Sequence, residues 1–154
     1  MKGTLMGVRY CHTNLVAKDW KRLAAFYVEV FGCQYKYPER DLSGSWVDDL
    51  TGLNDANIRG IHLTLPGYQD DGLTLEIFQY NEVMSNPDKQ INQEGFGHIA
   101  FLVDDVDLYL EKLIQNSGSL VGKAVRGHVP GVGNIHVVYA RDPEGNIIEI
   151  QKWA

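Results

Sequence analysis

The feature that most constrains the fold is an internal repeat, the kind of self-similarity that decides an architecture before any single element does. With His12 laid over His98, Asp19 falls over Asp105, seven residues on in each copy. Gly32 falls over Gly118, twenty residues on in each copy. The ends match as well. Gly72-Leu-Thr-Leu-Glu76-Ile lies over Gly145-Asn-Ile-Ile-Glu149-Ile, and each glutamate is followed four residues later by an aromatic, Tyr80 or Trp153.

Between these marks each copy reads as strand, helix and three strands. Leu23, Phe26, Tyr27, Val30 and Phe31 recur at helical steps after Asp19. Val106, Tyr109, Leu110, Leu113 and Ile114 recur in the same way after Asp104 and Asp105. The aspartates are the expected caps, and Gly32 and Gly118 the expected C-terminal stops. Strands are expected over roughly 8–16, 34–40, 57–65, 73–80, 96–103, 120–126, 134–140 and 146–152. The polar stretch Asn81 to Glu94, with Asn86-Pro87-Asp88, reads as the connector. The expected fold class is α+β: two tandem βαβββ modules, about 6–82 and 95–153, forming a cupped mixed sheet in one domain of 154 residues.

Strand parity then places the polar residues. Alternate side chains face opposite sides of a sheet. Ile99, Phe101 and Val103 make an apolar face, as do Leu75 with Ile77 and Ile148 with Ile150. His12, Glu76, His98 and Glu149 therefore fall on the faces the helices leave free. Two imidazoles and two carboxylates converging in a partly apolar cup form a site for one divalent ion, and that N₂O₂ set suits Ni²⁺, Co²⁺, Zn²⁺, Mn²⁺ or Fe²⁺. Tyr139 and His62 are candidates for substrate contact. Tyr139 is alternatively an aromatic core filler, and His62 alternatively lies on the outer face. His136, of opposite parity to Tyr139, reads as structural. His128 lies in the glycine-rich stretch Arg126-Gly-His-Val-Pro-Gly-Val-Gly-Asn134, expected to be a loop, either an ordinary connection or a lid over the site.

Composition excludes some partners. The formal net charge is −6, which opposes binding to nucleic acid or to an anionic membrane. No apolar run approaches the ~20 residues of a membrane span. Met1 to Tyr10 lacks the apolar core of a signal peptide, so a cytoplasmic location is expected. The two cysteines, Cys11 and Cys33, sit beside apolar runs and read as reduced and structural.

The motifs resemble those of the vicinal oxygen chelate superfamily, which includes glyoxalase I, methylmalonyl-CoA epimerase, fosfomycin-resistance enzymes, extradiol dioxygenases and bleomycin-binding proteins. The resemblance is carried by His12-Thr-Asn-Leu-Val-Ala-Lys-Asp19 with Phe26-Tyr27 and Phe31-Gly32, by Leu75-Glu76-Ile77, by Gly97-His98-Ile-Ala-Phe-Leu-Val-Asp104, and by Asp142-Pro-Glu-Gly-Asn-Ile-Ile-Glu149-Ile. It covers nearly the whole chain. The His, Glu, His, Glu order is similar to that of bacterial glyoxalase I. Epimerases of the superfamily typically carry Gln at the position of Glu76. The resemblance implies a metal-dependent lyase or isomerase that transfers a proton next to the carbonyl of a small molecule, with Glu149 as base and Glu76 as its counterpart, in a homodimer. Alternatives within the superfamily are a methylmalonyl-CoA epimerase-like isomerase and a non-catalytic small-molecule-binding resistance protein. The sequence departs from glyoxalase I at Val16, where that enzyme has an arginine for the glutathione carboxylate, and Asn81 is at best a shifted counterpart of its asparagine. These departures leave the use of glutathione open.

Overall fold

The computed structural model describes residues 7–68, 72–85 and 88–154. Asn86 and Pro87 of the expected connector lie outside the described residues, as does the start of the N-terminal segment. The elements run β1 (His12–Val16), α1 (Trp20–Phe31), β2 (Gln34–Ser43), α2 (Ser45–Thr51), β3 (Asn57–Thr64), β4 (Thr74–Tyr80), β5 (Ile99–Leu102), α3 (Val106–Gln115), β6 (Ser119–Leu120), β7 (Val125–Val129), β8 (Gly133–Arg141) and β9 (Ile147–Trp153). This is an α+β fold with two mixed sheets. No helix among the described residues is long and apolar enough to cross a membrane.

The two sheets share one topology. The first has the order β1-β4-β3-β2, with β1 and β4 parallel and the other neighbours antiparallel. The second has the order β5-β9-β8-β6, with β5 and β9 parallel and β7 also paired to β8. In each, the first strand of the repeat pairs with the last, so the strand bearing the glutamate lies beside the one that bears or follows the histidine.

Compact packing divides the chain into residues 1–24 with 32–83 and residues 25–31 with 84–154. In the first unit Ile61 pairs with Ile77 and Leu63 with Leu75, and all four are buried. The Asp19 carboxylate accepts the Arg22 amide at 3.1 Å and caps α1, as the sequence predicts. Gly32, at φ +74°, closes the helix in the left-handed conformation that glycine adopts without a Cβ penalty. Residues 45–51 form a short helix that the sequence reading does not anticipate. It is seven residues long, too short for a periodic signal. It is fixed by Asp48, whose carboxylate accepts the amides of Asp55 and Ala56 at 3.1 and 2.9 Å. Val47 beneath it is buried with Ala56 and Ile58.

In the second unit the apolar face of the sheet carries Val138, Ala140, Ile148 and Ile150, all buried. The C-terminal half of α1 belongs here. Phe31 stacks on Phe101 at 3.9 Å between ring centroids, nearly parallel, and Tyr109 of α3 lies 6.3 Å from Phe31. Tyr27, fully buried, donates its hydroxyl to the Asp142 carboxylate at 2.7 Å. Asp142 also accepts the amides of Glu144 and Asn146 and the side-chain amide of Asn146, which fixes the β8–β9 turn. Asp105 caps α3 by accepting the Leu108 amide at 3.1 Å. The end of α3 corrects the expectation for Gly118. The left-handed residue is Ser117, at φ +70°. Gly118 is needed for space instead, since a Cβ there would lie 2.3 Å from a Leu113 methyl and 2.8 Å from the Arg141 carbonyl.

Two further expectations are revised. The strand over 120–126 is broken into β6 and β7. The glycine-rich loop is mostly strand: β7 and β8 form a hairpin closed by Val132 donating to the Val129 carbonyl at 3.0 Å, with His128 and Asn134 bonded across it at 2.8 Å. That pairing leaves no free loop to serve as a lid. Both cysteines are free, but only Cys33 is buried; Cys11 is exposed.

Two outcomes are expected. Burial pushes the Cys33 thiol up to about 12, so a thiol reagent should modify one cysteine, Cys11, in the native protein and the second only on unfolding. Burial also raises the Asp142 carboxyl above its ordinary value, and the Tyr27 hydroxyl opposes that rise by bonding the charged form. A raised carboxyl contributes stability at low pH that is lost as pH rises through its folded value. Tyr27→Phe should therefore cost about 1–3 kcal/mol at neutral pH, and less at acidic pH, in urea unfolding.

Candidate metal and proton-transfer site

The first unit gathers its polar side chains on the face opposite the buried one. Strand register fixes the arrangement: Glu76 lies between Asn14 of β1 and His62 of β3, and His12 lies beside Thr74. Glu76 is 9% exposed, and a carboxylate so buried needs compensating partners. It has three. Asn14 Nδ2 donates to Oε1 at 2.8 Å, His62 Nε2 lies 2.7 Å from Oε2, and His12 Nε2 lies 3.5 Å from Oε1. The other nitrogen of His62, Nδ1, is 3.0 Å from the Thr74 hydroxyl. The His12 and His62 rings meet edge to face at 5.4 Å. Burial pulls the His62 imidazole below its usual value, while the neighbouring Glu76 carboxylate opposes the shift.

His12, His62 and Glu76 present ligand atoms all within 4.8 Å of one another. Ligands on a tetrahedral divalent ion with bonds of about 2.1 Å sit about 3.4 Å apart, so the set fits such an ion with small adjustments. His12 Nδ1 is buried without a hydrogen-bond partner.

The second unit repeats half of this. His98 Nε2 lies 2.8 Å from Glu149 Oε2, with side chains 31% and 14% exposed. Tyr139 pairs directly with Glu149 across β8 and β9, and its ring lies 5.0 Å from that of His98. Burial first, and then the Glu149 charge, raise the Tyr139 hydroxyl above its ordinary value. Tyr139 thus occupies in the second repeat the place that His62 occupies in the first, directly opposite the glutamate. His136 has the other parity and points to Asp107 of α3 at 3.7 Å, as a structural residue would.

The structure thus brings together His12 with Glu76, and His98 with Glu149, each pair within its own unit. It puts His62 on the Glu76 face rather than the outer one and Tyr139 beside Glu149. The sequence reading does not find Asn14 and Thr74 as partners. Both lie on the correct face by parity, but their pairing depends on register, which a single strand does not encode. On the same face of the first sheet, Phe78 and Tyr80 follow Glu76 and line an apolar cavity of about 400 Å³ with Leu42, Trp46, Leu50 and Leu53. Gly60 permits the close approach of β3 there, because a Cβ would lie 2.0 Å from the Ile77 carbonyl.

In metal-free protein, Glu149→Gln removes the charge opposite Tyr139. The Tyr139 hydroxyl should then titrate closer to its ordinary value, read by NMR of ring-labelled tyrosine.

Comparison with known proteins bears on the fold and the family. The chain matches over 99% of its length a glyoxalase family protein from Bacillus cereus, which is covered to 99%, with TM-score 0.81 and 18% identity. It matches a glyoxalase I variant from Zea mays over 93% of this chain and 44% of that one, with TM-score 0.62 and 25% identity. A fosfomycin resistance protein from Listeria monocytogenes matches over 97% of this chain and 96% of that one, with TM-score 0.58 and 18% identity. No curated protein matches the sequence. The family model for the Glyoxalase/Bleomycin resistance protein/Dioxygenase superfamily matches residues 9–150, and the chain belongs to that superfamily.

Proposed function

We propose that the protein is a metal-dependent lyase or isomerase that moves a proton next to the carbonyl of a small molecule. The observation that carries this reading is the duplicated pair. Each repeat sets a glutamate against a histidine on the face of the sheet away from the buried core, His12 with Glu76 and His98 with Glu149. On this reading the four residues together supply the donors for one divalent ion, and imidazole and carboxylate suit Ni²⁺, Co²⁺, Zn²⁺, Mn²⁺ or Fe²⁺. Superfamily membership supports the same reading.

When bound, the ion supplies the positive charge that offsets the negative charge developing on the substrate oxygen. The residues do the rest. Glu149 takes the proton from the carbon beside the carbonyl, from a position 2.8 Å from His98. Glu76 is the counterpart carboxylate, held by the side-chain amide of Asn14. Tyr139, opposite Glu149, is a contact for the substrate oxygens. The apolar cavity at Phe78 and Tyr80 receives an apolar substituent and excludes water from that end. Supply of the substrate in the cytoplasm and a homodimeric assembly complete the proposal.

Metal analysis of wild type and His98→Ala, purified without an affinity tag, tests the site. About one divalent ion per chain is expected in wild type, with loss in the variant. A wild type that takes up no Ni²⁺, Co²⁺, Mn²⁺ or Zn²⁺ would leave a ligand-binding protein as the better account. Glu149→Gln should retain part of its metal and lose turnover of 2-oxoaldehyde adducts or acyl-CoA substrates. Undiminished turnover would remove Glu149 from the role of base.

A further inference from the structure

We propose that His62 is itself a metal ligand, so that the first unit alone presents three ligands, His12, His62 and Glu76. The proposal rests on the reading that the protein binds a divalent ion, and gives His62 a role other than contact with substrate.

Three observations converge. The ligand atoms of His12, His62 and Glu76 lie within 4.8 Å of one another. The His62 ring has the geometry of a ligating histidine: Nδ1 lies 3.0 Å from the Thr74 hydroxyl, an oxygen able to accept its proton, and Nε2 faces the carboxylate. Ligating histidines nearly always give their second ring nitrogen such a partner, which fixes tautomer and ring angle. His62 Nε2 lies 2.7 Å from Glu76 Oε2, closer than the ~3.4 Å between two ligands on a tetrahedral ion, so the pair opens by less than about 1 Å to admit one. Finally, His12 and His62 both face Glu76, at 3.5 and 2.7 Å, with their rings 5.4 Å apart, so two imidazoles flank the same carboxylate. Two imidazoles and one carboxylate on one face of one sheet form a three-point set that leaves the remaining positions of an ion open to other donors.

The competing arrangement is a plain hydrogen bond, with the proton on Nε2 and Thr74 donating to Nδ1. Long-range proton–nitrogen NMR of ring-labelled histidine in the full chain separates the two. Spectra are recorded metal-free and with one equivalent of Zn²⁺. With Zn²⁺, His62 Nε2 is expected to take the shift of a metal-bound nitrogen while Nδ1 keeps its proton. An Nε2 that still carries a proton when Zn²⁺ is bound overturns the proposal. His62→Phe should weaken Zn²⁺ binding by more than about 100-fold, beyond the usual effect of losing an outer partner. A smaller loss overturns it too, and if the variant fails to fold the wild-type spectra decide alone. Should Zn²⁺ bind wild type without moving His62, only this inference falls. If no divalent ion binds wild type at all, the proposed function falls with it.

Discussion

A buried carboxylate that must find partners organises the first sheet. Glu76 sits on a strand with a neighbour on either side, and its charge is tolerable only because β1 and β3 bring Asn14, His12 and His62 to it. A slip of one residue in either pairing would turn those side chains to the buried face and bring Thr13 or Leu15, or Ile61 or Leu63, opposite Glu76. The register that packs Ile61 against Ile77 and Leu63 against Leu75 is therefore the register that builds the polar cluster. Core and site are two faces of one decision.

The second repeat makes the same decision with different side chains. Glu149 has Tyr139 where Glu76 has His62, and Ala100 where Glu76 has Asn14. The scaffold is duplicated while the chemistry is divided. One half carries a dense hydrogen-bonded cluster, and the other a single His–Glu pair beside a phenol. Duplicated folds commonly host function this way, with symmetry in the backbone and asymmetry in the few positions that touch the reacting groups.

Much of this was legible in the residues. Parity alone put His12, Glu76, His98 and Glu149 on faces opposite Leu75, Ile77, Ile148 and Ile150, because alternation needs only the strand itself. The repeat told which strands to compare. His62 was harder, since Ile58, Ile61 and Leu63 give β3 apolar residues on both faces and hide its parity. The offset from His62 to Glu76 also differs from that of Tyr139 to Glu149, because the intervening turns differ in length, so the repeat did not align them. The helix over 45–51 escaped because it depends on Asp48 binding the amides of Asp55 and Ala56, a tertiary effect. The glycines of 126–134 suggested a loop, yet Gly131 and Gly133 take the positive-φ positions of a hairpin and allow the strands on either side to pair.

The bond from Tyr27 to Asp142 spans 115 residues of sequence. During synthesis, the helix that carries Tyr27 is made 115 residues before its acceptor. Until Phe101 and Tyr109 follow, Phe31 has neither of the rings from later in the chain that it stacks on. Such long-range closure slows folding and leaves apolar surface uncovered in the meantime. The nascent chain thus passes through an interval in which the C-terminal half of α1 is finished but its own unit is not, and the turn at Asp142 ends it.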